Sequence, residues 1–113
     1  MINPLEALES RLADGAGVYV NPGVDPGDYF NEIAEDIRRN QCLPFLISAV
    51  VMAPGIPGFE PGEGVAGVCV ARAKGRWLVY REQDDLFLAF WGGSAEDLGA
   101  HGIFGSPLYC WSA

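Results

Sequence analysis

The stretch Arg76–Trp91, RWLVYREQDDLFLAFW, decides how this chain folds. Two apolar runs, Trp77–Tyr80 and Leu86–Trp91, flank Glu82-Gln83-Asp84-Asp85. Both are rich in aromatic and branched residues, which suits a pleated and largely buried surface. They read as a β-hairpin at the centre of a sheet. The connection packs three carboxylates into four residues. One Asp is ordinary in a turn. Three neighbouring acids repel one another, and turn geometry does not require them. That excess charge is the first functional lead.

Outward from the hairpin, Val65–Ala73 predicts a strand joined to Arg76–Arg81 by the tight Lys74-Gly75 connection. Phe45–Met52, FLISAVVM, is a continuous apolar run suited to a buried strand. Between them Ala53–Gly64 holds three prolines and four glycines and reads as a long loop. Gly92–Gly105 reads as a second loop, and Leu108–Trp111, LYCW, as a final short strand. Two helices precede the sheet. Asn3-Pro4-Leu5-Glu6 is a capping-box-like start for a helix over Pro4–Ala13, with Leu5, Leu8 and Leu12 on one stripe. Asp25-Pro26-Gly27-Asp28 repeats that grammar for a helix over Pro26–Arg39, which carries Tyr29, Phe30, Ile33, Ala34 and Ile37 on its apolar side. The expected fold is α+β: one domain over residues 1–113, with two N-terminal helices packed on an antiparallel β-meander of four to five strands.

Composition bounds the function. Half of the 113 residues are hydrophobic, enough for a substantial core and against disorder. The formal charge is −8 with only seven basic residues, which argues against nucleic acid as a partner. Acidity favours cations, basic proteins or solubility alone. No apolar run approaches the roughly 20 residues that span a bilayer, and Met1–Leu12 lacks the features of a signal peptide. Cys42, Cys69 and Cys110 are an odd number at wide spacing, unlike a disulfide framework or a zinc site. A cytoplasmic monomer with reduced cysteines is expected.

Short connections make consecutive strands antiparallel neighbours, and this sorts the charges. Glu60, Glu63, Glu82, Asp84 and Asp85 fall at one end of the meander, joined by Asp25, Asp28 and Glu32 from the start of the second helix. Arg38, Arg39, Lys74 and Arg76 fall at the other end. Arg81 is the exception, beside the acidic turn and able to neutralise one carboxylate. Carboxylates with carbonyls from a Gly/Pro-rich loop are hard-oxygen chemistry. Ca2+ takes about six to eight such ligands in flexible geometry, whereas Mg2+ demands a stricter octahedron. The EF-hand spacing is absent, so a calcium site would be assembled from several segments and partly hydrated. The expected metal ligands are Glu60, Glu63, Glu82, Asp84, Asp85, Asp28 and Glu32. Solvation of an acidic surface accounts for the same residues without a metal.

Catalysis fits less well, and no enzyme is expected. His101, the only histidine, lies in GAHGIFG, nine residues before Cys110. A Cys/His pair needs adjacency and an activated thiol. Cys110, between Tyr109 and Trp111, reads as a small core residue. Paired carboxylates would need an apolar pocket to shift one pKa, and the sequence supplies none.

The segments NPLEALESRLA, DPGDYFNEIAEDIRR, GVCVAR, RWLVY, LAFWG and FGSPLYCW, with the size and acidity of the chain, resemble the cyanobacterial calcium-binding protein family. The resemblance implies a cytosolic protein that binds calcium without an EF-hand, through a negatively charged surface. It implies calcium buffering or sequestration linked to heterocyst differentiation, ended by proteolysis. It carries no ligand onto an individual position, so the ligands above rest on topology. The alternative from the residues themselves is an acidic interaction module, of inhibitor or immunity type, that presents its carboxylates to a basic protein partner.

Overall fold

A computed structural model describes residues 3–113, so Met1 and Ile2 of the N-terminal segment lie outside the description. Two helices come first. Asn3 caps α1 (Pro4–Glu9), its side chain accepting from the Leu5 amide at 2.9 Å. The helix is shorter than the predicted Pro4–Ala13. Beyond Glu9 the bonds tighten to the i−3 carbonyl, Arg11 N–H to Leu8 and Leu12 N–H to Glu9, which closes it as turns. Leu12 is buried nonetheless. Asp25 caps α2 (Pro26–Arg39) by accepting from the Asp28 amide, and Ile33, Ala34 and Ile37 are buried as the stripe requires.

Five strands follow: β1 (Gln41–Val51), β2 (Gly64–Ala73), β3 (Arg76–Arg81), β4 (Leu86–Trp91) and β5 (Gly99–Gly105). The predicted hairpin is present in full register, from Arg76 opposite Trp91 to Arg81 opposite Leu86. The meander does not stay open. β5 pairs antiparallel with β4 and then parallel with β1, Val50 beside Gly99 and Val51 beside Ala100, closing a barrel. An odd number of alternating strands makes that closing pair parallel.

Two corrections concern the C-terminal part. Residues 99–105, predicted as loop, form the closing strand. Glycine hides it from a propensity reading, yet Gly102 has φ +88° and a Cβ there would meet the Pro54 ring at 2.9 Å. Leu108–Trp111, predicted as a strand, lies in a third helix, α3 (Pro107–Ser112). Ser106 caps it and Pro107 takes the first position, the same grammar as Asn3-Pro4 and Asp25-Pro26. The α+β class stands, with three helices rather than two.

The core has two layers. Ile47, Val51, Val65, Trp77, Val79, Leu88 and Phe90 belong to one cluster, inside the barrel. Leu78, Tyr80, Phe87 and Ala89 belong to a second, packed beneath Leu8, Ile37, Leu108 and Trp111 of the helices. β3 and β4 are therefore buried on both faces, which explains why they read as unbroken apolar runs. β1 differs. It contributes nothing to the helix-covered layer, and its outer side chains stay exposed.

Candidate functional site

The acidic turn is built first by its backbone. Asp85 adopts φ +53° and its N–H bonds the Glu82 carbonyl, a conformation Asp tolerates better than most residues. In that posture the exposed Asp85 carboxylate meets Tyr80 and Arg11. Arg11 approaches Oδ2 at 2.5 Å and also donates to the Asp85 carbonyl, while the Tyr80 hydroxyl donates to Oδ1 at 2.7 Å. The Tyr80 bond and the Arg11 guanidinium hold the Asp85 carboxyl below its ordinary range. Burial, then Asp85 itself, pushes the Tyr80 phenol up to about 12.

Asp84 has its own cation. Arg81 Nε meets Asp84 Oδ2 at 2.6 Å, and the same guanidinium donates to the Ala66 carbonyl. It also lies over the Phe59 ring, 4.9 Å from the centroid. The 53–63 loop thus reaches the turn as the topology predicts, but what occupies the junction is Arg81. Within that loop the Glu63 carboxylate accepts from the Glu60 amide at 2.6 Å. Its side chain braces the loop.

Asp28 and Glu32 sit on the outer side of α2, where they line a shallow depression with Asn31, Glu35, Asp36 and Arg39. Glu35 pairs with Arg38, and Asp36 pairs with Arg39 and accepts from Trp111 Nε1 at 2.8 Å. Trp111 first, then Arg39, draws the Asp36 carboxyl below its usual value against the opposing effect of burial. Asp28 and Glu32 take part in no ion pair among the described residues.

The seven predicted ligands therefore fall into two groups. Glu60, Glu63, Glu82, Asp84 and Asp85 belong to segments joined through Arg81, with Asp84 and Asp85 each held by a guanidinium. Asp28 and Glu32 share the depression on α2, which is lined by α2 residues alone. Among the described residues, no three His, Cys, Asp or Glu side chains come close enough together to hold a metal ion. His101 stacks edge-on against Trp91, whereas Cys110 is buried and bonded to the Phe87 carbonyl, with burial raising its thiol pKa. Each has a separate structural partner.

The sequence reading missed a second feature. Along β1 and just beyond it, Leu43 is 88% exposed, Leu46 74%, Val50 50% and Met52 42%. FLISAVVM is a half-exposed strand, not one buried on both faces. The single polar residue within the run, Ser48, was the only available signal. Acids border this stripe. A groove beside Leu46 runs past Val68 and Tyr80 to Glu82 and Gln83, and a hollow beside Ser48 and Val50 is lined by Glu96 and Asp97.

No protein-family model, no curated protein and no solved structure matches the chain. No helix among the described residues is long and apolar enough to cross a membrane.

Proposed function

We propose that the protein is a non-catalytic acidic binding module whose exposed β1 face takes a basic protein partner. The observation that carries this reading is the apolar stripe Leu43, Leu46, Val50 and Met52, left bare on a barrel whose β3 and β4 outer faces lie under helices. Contiguous apolar surface rimmed by polar groups is a usual mark of an interaction site. The rim chooses the occupant. Glu82 on one flank and Glu96 with Asp97 on the other favour a segment with apolar anchors and flanking Lys or Arg. A second copy of this chain is a poor occupant, because a twofold contact would bring the same acidic rim against itself at a net charge of −8.

The test uses a synthetic peptide of alternating Leu and Lys, with a Leu/Glu peptide as control. Binding should fall at least tenfold in a Leu46→Ser, Val50→Ser double variant, which keeps every charge. If that variant binds the peptide as well as the parent protein does, bulk charge alone is at work and the β1 reading fails. Self-association of the unmodified chain would instead assign the face to a second copy.

Calcium binding is the second reading, supported by the oxygen donors on α2 and by the family resemblance. Asp28, Asn31 and Glu32 line one depression, and neither Asp28 nor Glu32 takes part in an ion pair among the described residues. They supply less than half of a calcium shell, so water would complete it and affinity would lie on the order of millimolar. At the turn, calcium would have to displace Arg81 and Arg11. Asp28→Asn with Glu32→Gln should abolish the calorimetric signal, and a signal that survives would return the site to the turn. Buffering as a monomer in the cytoplasm belongs to this proposal.

A further inference from the structure

Cys42 and Cys69 stand apart from both readings. Their Sγ atoms are 3.8 Å apart, across β1 and β2. The ladder explains the approach. Gln41 lies opposite Ala71 and Phe45 opposite Cys69, so three residues of β1 face one of β2. Pro44, which cannot donate to a ladder, sits in that irregularity. The extra length gives the β1 backbone local slack and sets Cys42 against the barrel interior, where Cys69 is buried.

We infer that Cys42 and Cys69 are an oxidisable thiol pair, a modification site at which a small-molecule disulfide such as oxidised glutathione installs a bridge between β1 and β2. The roles follow from burial. Cys42 is half-buried and within reach of a solvent reagent, whereas Cys69 is enclosed. Burial and the neighbouring Cys42 push the Cys69 thiol up to about 12, so it is not the first nucleophile. The Cys42 thiolate attacks one glutathione sulfur, breaking the reagent's S–S bond and releasing one glutathione thiolate. That thiolate takes up the Cys69 proton as the Cys69 sulfur attacks Cys42, expelling the second glutathione. Two protein thiols are oxidised, one disulfide is reduced, and two glutathiones leave. The sulfurs must close to roughly 2.05 Å. Cys110, buried in the helix layer against the Phe87 carbonyl, has no thiol partner and is an internal control.

The experiment titrates the full chain with mixtures of oxidised and reduced glutathione, then alkylates it under denaturing conditions for mass spectrometry. The mass should fall by two hydrogens, the peptides holding Cys42 and Cys69 should be linked, and Cys110 alone should be alkylated. The bridge should raise the melting midpoint by on the order of 10 °C, from the loop it closes. Cys110→Ser should behave like the parent. Three results overturn the inference: a stable glutathione adduct on Cys42 beside an alkylated Cys69, both thiols intact where the urea-unfolded chain oxidises, or a bridge that includes Cys110. The parent chain alone delivers all three readouts, so the outcome does not depend on a variant that folds.

Discussion

Trp111→Ala puts the third helix to the test. In a strand, residues 108 and 110 would share one face and residue 111 would turn to the other. In α3, Trp111 is buried against α2 and β3, its Nε1 donates to Asp36 at 2.8 Å, and the Arg76 guanidinium lies 5.5 Å from its ring centroid. Truncation removes a large buried side chain and leaves a cavity, a change that costs about 4 kcal/mol. With unfolding entropy of roughly 2 cal/mol/K per residue, that lowers the melting midpoint by about 15 °C for a chain this long. Trp111→Phe isolates the hydrogen bond and should cost about 1 kcal/mol. This smaller loss has a pH signature. The bond lowers the Asp36 pKa in the folded protein, so its contribution is fully present above the unfolded value near 4 and fades as pH falls through the folded value. The gap between parent and Trp111→Phe should therefore narrow below about pH 4. Urea unfolding followed by circular dichroism at pH 7 and pH 3 measures both. A loss below about 1 kcal/mol for both Trp111→Ala and Tyr109→Ala, which share one face in a strand, would match strand alternation and refute the helix.

Two further predictions concern the turns of the meander. Tyr80, its phenol raised to about 12 by burial and Asp85, contributes stability that is whole below the unfolded value near 10 and is lost between about pH 10 and 12. Tyr80→Phe should lack that alkaline loss, and thermal melts from pH 9 to 12 will show whether the two curves converge. Lys74 and Gly75 both hold positive φ, +53° and +78°, which is the pattern of a type I′ hairpin turn. Lys74→Asn should stabilise the fold by about 0.5 kcal/mol, because Asn tolerates the left-handed region better than Lys. A lower urea midpoint would contradict it.

The central hairpin, both N-terminal caps and the helix stripe were legible because each is a local pattern: apolar runs of strand length on either side of a polar turn, Pro after a capping residue, apolar spacing of three and four. The barrel closure was not legible. Gly99–Gly105 has the composition of a loop, and its strand identity comes from neighbours on both sides, Trp91 and Val50, that no local window contains. α3 was misread for the opposite reason. LYCW has strand propensity, yet Ser106-Pro107 starts a helix and the two-layer core gives its apolar residues a face to bury. Of the site, the meeting of the 53–63 loop with the turn could be read from connectivity. Its occupation by Arg81 could be read only as proximity, since a residue beside a carboxylate in sequence can point either way.

The ion pairs change which acids matter. Five carboxylates, those of Glu9, Glu35, Asp36, Asp84 and Asp85, pair with Arg11, Arg38, Arg39 and Arg81. Most of these groups are well exposed, where a pair contributes at most about 1 kcal/mol, so their use is to fix geometry: α1 to α2, and the turn to both neighbouring segments. The two remaining arginines have other tasks. Arg72 lies over Phe45 and Trp77, and Arg76 donates to the Trp111 carbonyl. Arg76 thus ties down the C-terminal helix. With the arginines committed in this way, Asp28, Glu32, Glu60, Glu96 and Asp97 stand in no ion pair among the described residues and carry part of the excess negative charge. The conspicuous acids of the turn are largely structural. The field that would steer a cationic partner comes instead from quieter positions, and two of them, Glu96 and Asp97, border the bare face of β1.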